Sequence, residues 1–200
     1  MSKCLYCSRR GNRLCSAVKM EICSRCCGRL RRTIIQCPDG CEYLLESRKA
    51  ALEKLLNIYG DSEFERNWFE VLHNLRLAII KTKSTPFPND DEIVEALENV
   101  IERRRIKEKG LIYAPKSVNP NVQLLVSGLE KILSHYEKLG ATNTAKYESS
   151  QLNTCLKYIL RQVRTARIKG VDIVRLISGV VGMNFVNIEA TISSLRETVS

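Results

Sequence analysis

Eight of the nine cysteines in this 200-residue chain lie within its first 41 positions, at Cys4, Cys7, Cys15, Cys23, Cys26, Cys27, Cys37 and Cys41. Cysteines gathered this densely bind metal, pair as disulfides or carry redox chemistry. Residues 1–7 hold one lysine and no apolar stretch, so no secretory signal is read there and a reducing, cytoplasmic location is expected. In such a compartment clustered thiols serve as metal ligands. Zinc takes four sulfurs in a tetrahedron, and two cysteines separated by two residues turn a tight loop that aims both at one ion. Cys4 with Cys7 and Cys23 with Cys26 make two such knuckles and together one complete site. Cys15, Cys27, Cys37 and Cys41 remain as a second set of four. The neighbouring Cys26 and Cys27 point apart, so the doublet can serve both ions. Two structural Zn2+ ions are therefore expected, with an iron–sulfur cluster as the lesser alternative because four thiolates also suit one.

This order of ligand groups, a CxxC, a group near Cys15, a CxxC-like group at 23–27 and a CxxxC at 37–41, resembles the cross-brace zinc fingers of the MYND type. The resemblance implies that the first and third groups share one ion and the second and fourth share the other. The first ion would then take Cys4, Cys7, Cys23 and one of Cys26 or Cys27. The second would take Cys15, the other member of the doublet, Cys37 and Cys41. The family places a ligand near Val18 and a histidine at the position of Cys37, and this chain departs from it at both. A peptide-binding role is what the resemblance implies for function.

These ligands sit in a basic chain. The formal charge is +10, and eight thiolates with two Zn2+ would lower it to about +6. Arg9, Arg10, Arg13, Arg29, Arg31 and Arg32 concentrate the positive charge around the cysteines. They are the candidate contacts for an anionic partner.

The other residues must supply a scaffold, and their apolar spacing is helical almost throughout. Leu45, Leu52, Leu55, Leu56 and Tyr59 form one stripe that stops at Gly60. Ser62 and Glu65 have capping-box spacing ahead of a single stripe of Phe64, Trp68, Val71, Leu72, Leu75 and Ile79. Prolines make 85–89 a linker. Asn89 and Glu92 then open a helix that carries Ile93, Leu97, Val100 and Ile101 and ends in a charged run before Gly110. Asn119 and Pro120 start another, expected to end at Gly140. The helix across 150–169 buries Cys155 as a core thiol rather than a ninth ligand, and sets Lys157, Arg161 and Arg164 on its opposite face. Residues 172–199 read as an ordinary antiparallel helix pair. The expected fold is thus mainly α: a two-zinc module over 1–42 and a multi-helix bundle over 43–200, with a subdivision near 84–90 as an option. The longest weakly charged run, 177–186, is about half the length of a bilayer crossing, so no membrane association is expected.

Catalytic constellations are not visible in this sequence. It has no GxGxxG or Walker A pattern, and His73 and His135 have no companion motif. The reading is a non-enzymatic zinc-binding interaction protein whose partner is another protein. Nucleic-acid binding through the basic finger and the Lys157, Arg161 and Arg164 face is the rival reading, and it requires affinity that falls steeply with salt. A thiol redox sensor that loses zinc on oxidation is a third.

Overall fold

The computed structural model describes residues 2–31, 34–82, 88–111, 116–142 and 147–181. Among these the chain is mainly α-helical, with eight helices and one small antiparallel hairpin. It divides into two compact units, Met1–Arg48 and Lys49–Ser200.

In the first unit strands β1 (Arg13–Leu14) and β2 (Glu21–Ile22) pair with Arg13 opposite Ile22 and Leu14 opposite Glu21. The chain turns between them through Lys19, which adopts the left-handed region at φ 57°. β2 leads directly into the short helix α1 (Ser24–Leu30). Among the described residues the buried cluster around the cysteines holds only Ile22, Leu30 and Ile35 as aliphatic side chains, together with five cysteines, and Leu44 is buried at the start of the next helix. So few aliphatic side chains bury little area for a unit of this size, and a metal held by the cysteines would supply the missing stabilisation. Helix α2 (Glu42–Tyr59) begins directly after Cys41 and carries the division between the two units. At Gly60, where the helix ends, a Cβ would sit 2.5 Å from the Leu56 carbonyl oxygen, so the backbone there admits only glycine.

The second unit packs α3 (Ser62–Asn67), α4 (Phe69–Lys81), α5 (Asp90–Glu108), α6 (Pro120–Thr142), α7 (Ser149–Ile168) and α8 (Ile173–Val180) around one apolar core. The stripe expected as one helix from Ser62 is instead two helices, broken at Trp68 (φ −113°, ψ 16°). The break has a clear cause. Along a straight helix Glu65 and Arg76 would lie about 16 Å apart, whereas here they form a bidentate pair at 2.9 and 2.5 Å, each 1% exposed. Folding α3 back at Trp68 brings them together. Glu65 is therefore a core anion rather than the capping-box partner of Ser62, and Asp61 caps α3 through bonds from the Glu63 and Phe64 amides. Gln162 of α7 closes the network, accepting from Arg76 at 2.9 Å and donating to the Tyr59 carbonyl at 3.0 Å.

The capping box of Asn89 and Glu92 is present at the start of α5. The basic run at the end of α5 is engaged with neighbouring helices. Arg103 reaches Glu130 at 3.2 Å and Arg104 reaches Glu137 at 2.8 Å, both on α6. Arg104 also donates to Asn153 of α7 at 2.6 Å. Glu98 pairs with Arg164, and Asp91 with Arg167. These pairings make α5 antiparallel to α7 and parallel to α6. Parallel neighbours need a return connection along the helix, which rises about 28 Å. α6 runs through the expected stop at Gly140 to Thr142. Cys155 is buried in α7 as expected. Residues 85–87 of the expected linker and 182–199 of the expected C-terminal helix pair lie outside the described residues.

Replacing Arg76 with Met should lower the unfolding free energy in urea by about 3–5 kcal/mol, because Glu65 would stay buried without its cation. The double variant Glu65→Leu/Arg76→Met should recover most of that loss, and a double variant as weak as the single one would contradict this account. A second outcome concerns alkaline pH. Burial pushes the Tyr136 hydroxyl up to about 12, with nearby Glu70 adding to it against a hydrogen bond from Asn74. The folded state therefore keeps a proton that the unfolded chain loses near the ordinary value of 10.0. Stability should be full below pH 10 and decline as pH rises through 10 towards 12, with a shallower decline in Tyr136→Phe, as thermal melts across that range would show.

Candidate metal centre

Two local structures deliver four sulfurs to one point. In the first, Cys4 and Cys7 bracket a turn closed by the Cys7 amide on the Cys4 carbonyl at 3.3 Å. Its flanks are tied by the Cys4 amide on the Arg9 carbonyl at 2.8 Å and by a bridge between Lys3 and Arg10. In the second, Cys23 is the N-cap of α1, and its sulfur accepts from the Cys26 amide at 3.4 Å. Asn12 fixes the entry of this helix by accepting from the Ser24 amide at 3.1 Å. The two pieces meet where the Leu5 amide bonds the Glu21 carbonyl at 3.1 Å.

As a result the sulfurs of Cys4, Cys7, Cys23 and Cys26 all lie within 4.8 Å of one another, and those of Cys7 and Cys23 are 3.6 Å apart. Zinc bonded to four sulfurs at about 2.3 Å separates them by about 3.8 Å. The group therefore fits a single tetrahedral ion, and three of its four residues are buried. No position is left for a non-protein ligand.

The thiols of this group are electrostatically unequal. Burial pushes Cys4 up, but amide donors from Cys23, Tyr6 and Cys7 outweigh it and bring the thiol down to about 6. The Cys26 amide lowers Cys23. Burial and the sulfurs around it push Cys26 up to about 12. Four negative sulfurs at these separations repel too strongly to ionise together without a cation. A divalent metal would convert all four to thiolates and release their protons.

Cys15, Cys27, Cys37 and Cys41 have a different environment. Among the described residues their sulfurs do not assemble into a second group of this kind. Cys15 and Cys27 are buried within the same cluster as the first four, and Cys37 packs against it. Cys41 is buried ahead of α2. The Cys27 sulfur accepts from Arg31 at 3.5 Å and from Arg13 at 3.7 Å. Arg13 also stacks over the Tyr43 ring at 4.7 Å.

The basic residues singled out in the sequence thus separate into groups. Arg13 and Arg31 turn towards Cys27, whereas Arg9, Arg10 and Arg29 are exposed, as are Lys3, Lys19 and Arg25, which sequence reasoning passed over. Arg32 lies outside the described residues. Against these bases residues 2–31 hold a single acid, Glu21, which pairs with the Ser2 hydroxyl. On α7, Lys157 is exposed, Arg161 donates to the Tyr59 hydroxyl at 2.8 Å, and Arg164 pairs with Glu98. The anticipated basic stripe is therefore partly neutralised by its own fold.

No family model, curated protein or solved structure matches the chain. The likeness to MYND fingers therefore assigns it no family. The cysteine group stands on geometry alone. No described helix is long and apolar enough to cross a membrane.

Native mass spectrometry of the full chain should find metal that Cys26→Ser removes from this centre and that Cys155→Ser leaves in place. Equal metal content in wild type and Cys26→Ser would disprove the assignment.

Proposed function

We propose that the N-terminal unit is a zinc-stapled interaction module without catalytic activity, and that its partner is another protein. The carrying observation is the closed group of four sulfurs within 4.8 Å. Catalytic zinc keeps one position open for water or substrate, whereas a site filled by four sulfurs acts as structure. The short separations also favour one ion over an iron–sulfur cluster, whose inorganic sulfides must fit between its cysteines. A second zinc ion is proposed on Cys15, Cys27, Cys37 and Cys41. Its support is the burial of Cys15, Cys27 and Cys41, with Cys37 packed against the cluster that holds the first two.

A surface held in place by zinc needs something to bind. Leu5, Leu14, Met20 and Ile34 are 44%, 67%, 51% and 65% exposed. Large apolar side chains offered to water on so small a unit favour a protein partner. Nucleic-acid binding is the second reading, supported by the excess of exposed bases around the cysteines. It lacks stacking surface, since Tyr6 is the only aromatic residue in 1–41.

Affinity capture with the full chain under nuclease treatment should retain a protein partner, and Cys26→Ser should lose it together with the metal. Capture that disappears with nuclease would replace this reading with the nucleic-acid one. Capture unaffected by Cys26→Ser would move the interaction away from the finger.

A further inference from the structure

The hairpin leaves one backbone edge open. The Cys15 amide bonds the Met20 carbonyl at 3.0 Å, so these residues form a hydrogen-bonded pair of the ladder. Alternation then makes Leu14 and Glu21 a non-bonded pair, with backbone groups directed away from each other. On the β2 side the outward Glu21 carbonyl is covered, since it accepts from Leu5. On the β1 side the outward amide and carbonyl belong to Leu14, and no third strand pairs there among the described residues. The Leu14 side chain is 67% exposed. A cavity of about 630 Å³ adjoins it, lined by Arg10, Arg13, Asn12, Gly11, Ser2 and Glu21 as well as Leu14.

We propose that this edge is the docking site, and that its occupant is an extended, acidic segment of the partner protein that adds a short strand to β1. The inference rests on the protein-binding reading above and names the partner's chemistry. Three observations converge on it. An open edge donates and accepts backbone hydrogen bonds in register, which gives affinity to any extended chain. Exposed Leu14 offers an apolar side chain of that strand a contact, and the adjoining cavity, polar but for Leu14 and Gly11, receives its polar neighbours. Charge selects the occupant, because Arg10 and Arg13 line the cavity, exposed Lys3 and Arg9 lie close to Arg10 in the chain or across its bridge, and these bases outnumber the single acid Glu21. An acidic strand is attracted, and a basic one is repelled.

The test uses the metal-loaded full chain and short peptides that alternate Glu with Val or Lys with Val. In amide-resolved NMR the Glu-Val peptide should shift the Leu14 amide most strongly and slow its hydrogen exchange, with binding that weakens as salt rises. The Lys-Val peptide should not bind. Leu14→Pro, which removes the outward N–H, should weaken binding about tenfold, the worth of roughly one hydrogen bond, and its metal content reports whether the module stays folded. Arg10→Glu should weaken binding without touching the edge. Equal binding of both peptides, or Glu-Val binding that leaves the Leu14 amide unshifted, overturns the proposal. If neither peptide binds while the full chain still captures a protein under nuclease treatment, this edge is rejected and the protein-binding reading stands. If capture proves nuclease-sensitive, both fall.

Discussion

Mutual repulsion among four sulfurs is the constraint on which the N-terminal unit depends. Cys4, Cys7, Cys23 and Cys26 are closer than four thiolates tolerate unaided; amide donors hold Cys4 down to about 6, while burial and the surrounding sulfurs push Cys26 up to about 12. A cation removes it, and each local feature serves the arrangement that admits one. The turn at Cys7, the hairpin through Lys19 and the capping of α1 by Cys23 contribute little burial of their own. They are ways of bringing sulfur from two distant stretches to a common point. With Ile22, Leu30 and Ile35 as the aliphatic members of the cluster, binding of a metal there would be coupled to folding.

The helical unit resolves an analogous problem differently. Its buried charges, Glu65 and Arg76, pair with one another and bond Gln162, although the Arg76 Nε is left without a partner among the described residues. Such a pair contributes modestly to stability compared with apolar side chains of the same volume, but it penalises every packing in which the partners miss. The break at Trp68 is the cost of that alignment. Around the same helices the bases of α5 and α7 meet acids and amides on their neighbours, so charge that looks available in one dimension is spent on packing in three.

What could be read from the residues follows from how local each signal is. The knuckles were legible because CxxC spacing acts within one turn, and the amphipathic helices were legible because burial recurs with the helical period. The box at Asn89 and Glu92 was read correctly by the same logic that misread Ser62 and Glu65. Both pairs have the right spacing, but only tertiary structure supplies Arg76 to compete for the second glutamate. The turn of Arg13 and Arg31 onto Cys27 was equally hidden, because nothing in their spacing separates an inward guanidinium from a solvated one. The hairpin strands are two residues each, too short to express an alternating pattern.

Sequence separation divides the molecule in a further way. The hydrogen bonds that shape the metal centre join residues no more than twenty-two positions apart, as between Cys4 and Cys26. The core network of the helical unit waits for Gln162 to meet Arg76, 86 positions earlier. Closing so long a loop is entropically slow, whereas the finger's contacts are local. During synthesis the N-terminal unit can therefore capture its metal and acquire its surface while the bundle is still an open chain. The order of assembly follows from the distance between contacts, with the local cysteine unit able to form ahead of the long-range helical core.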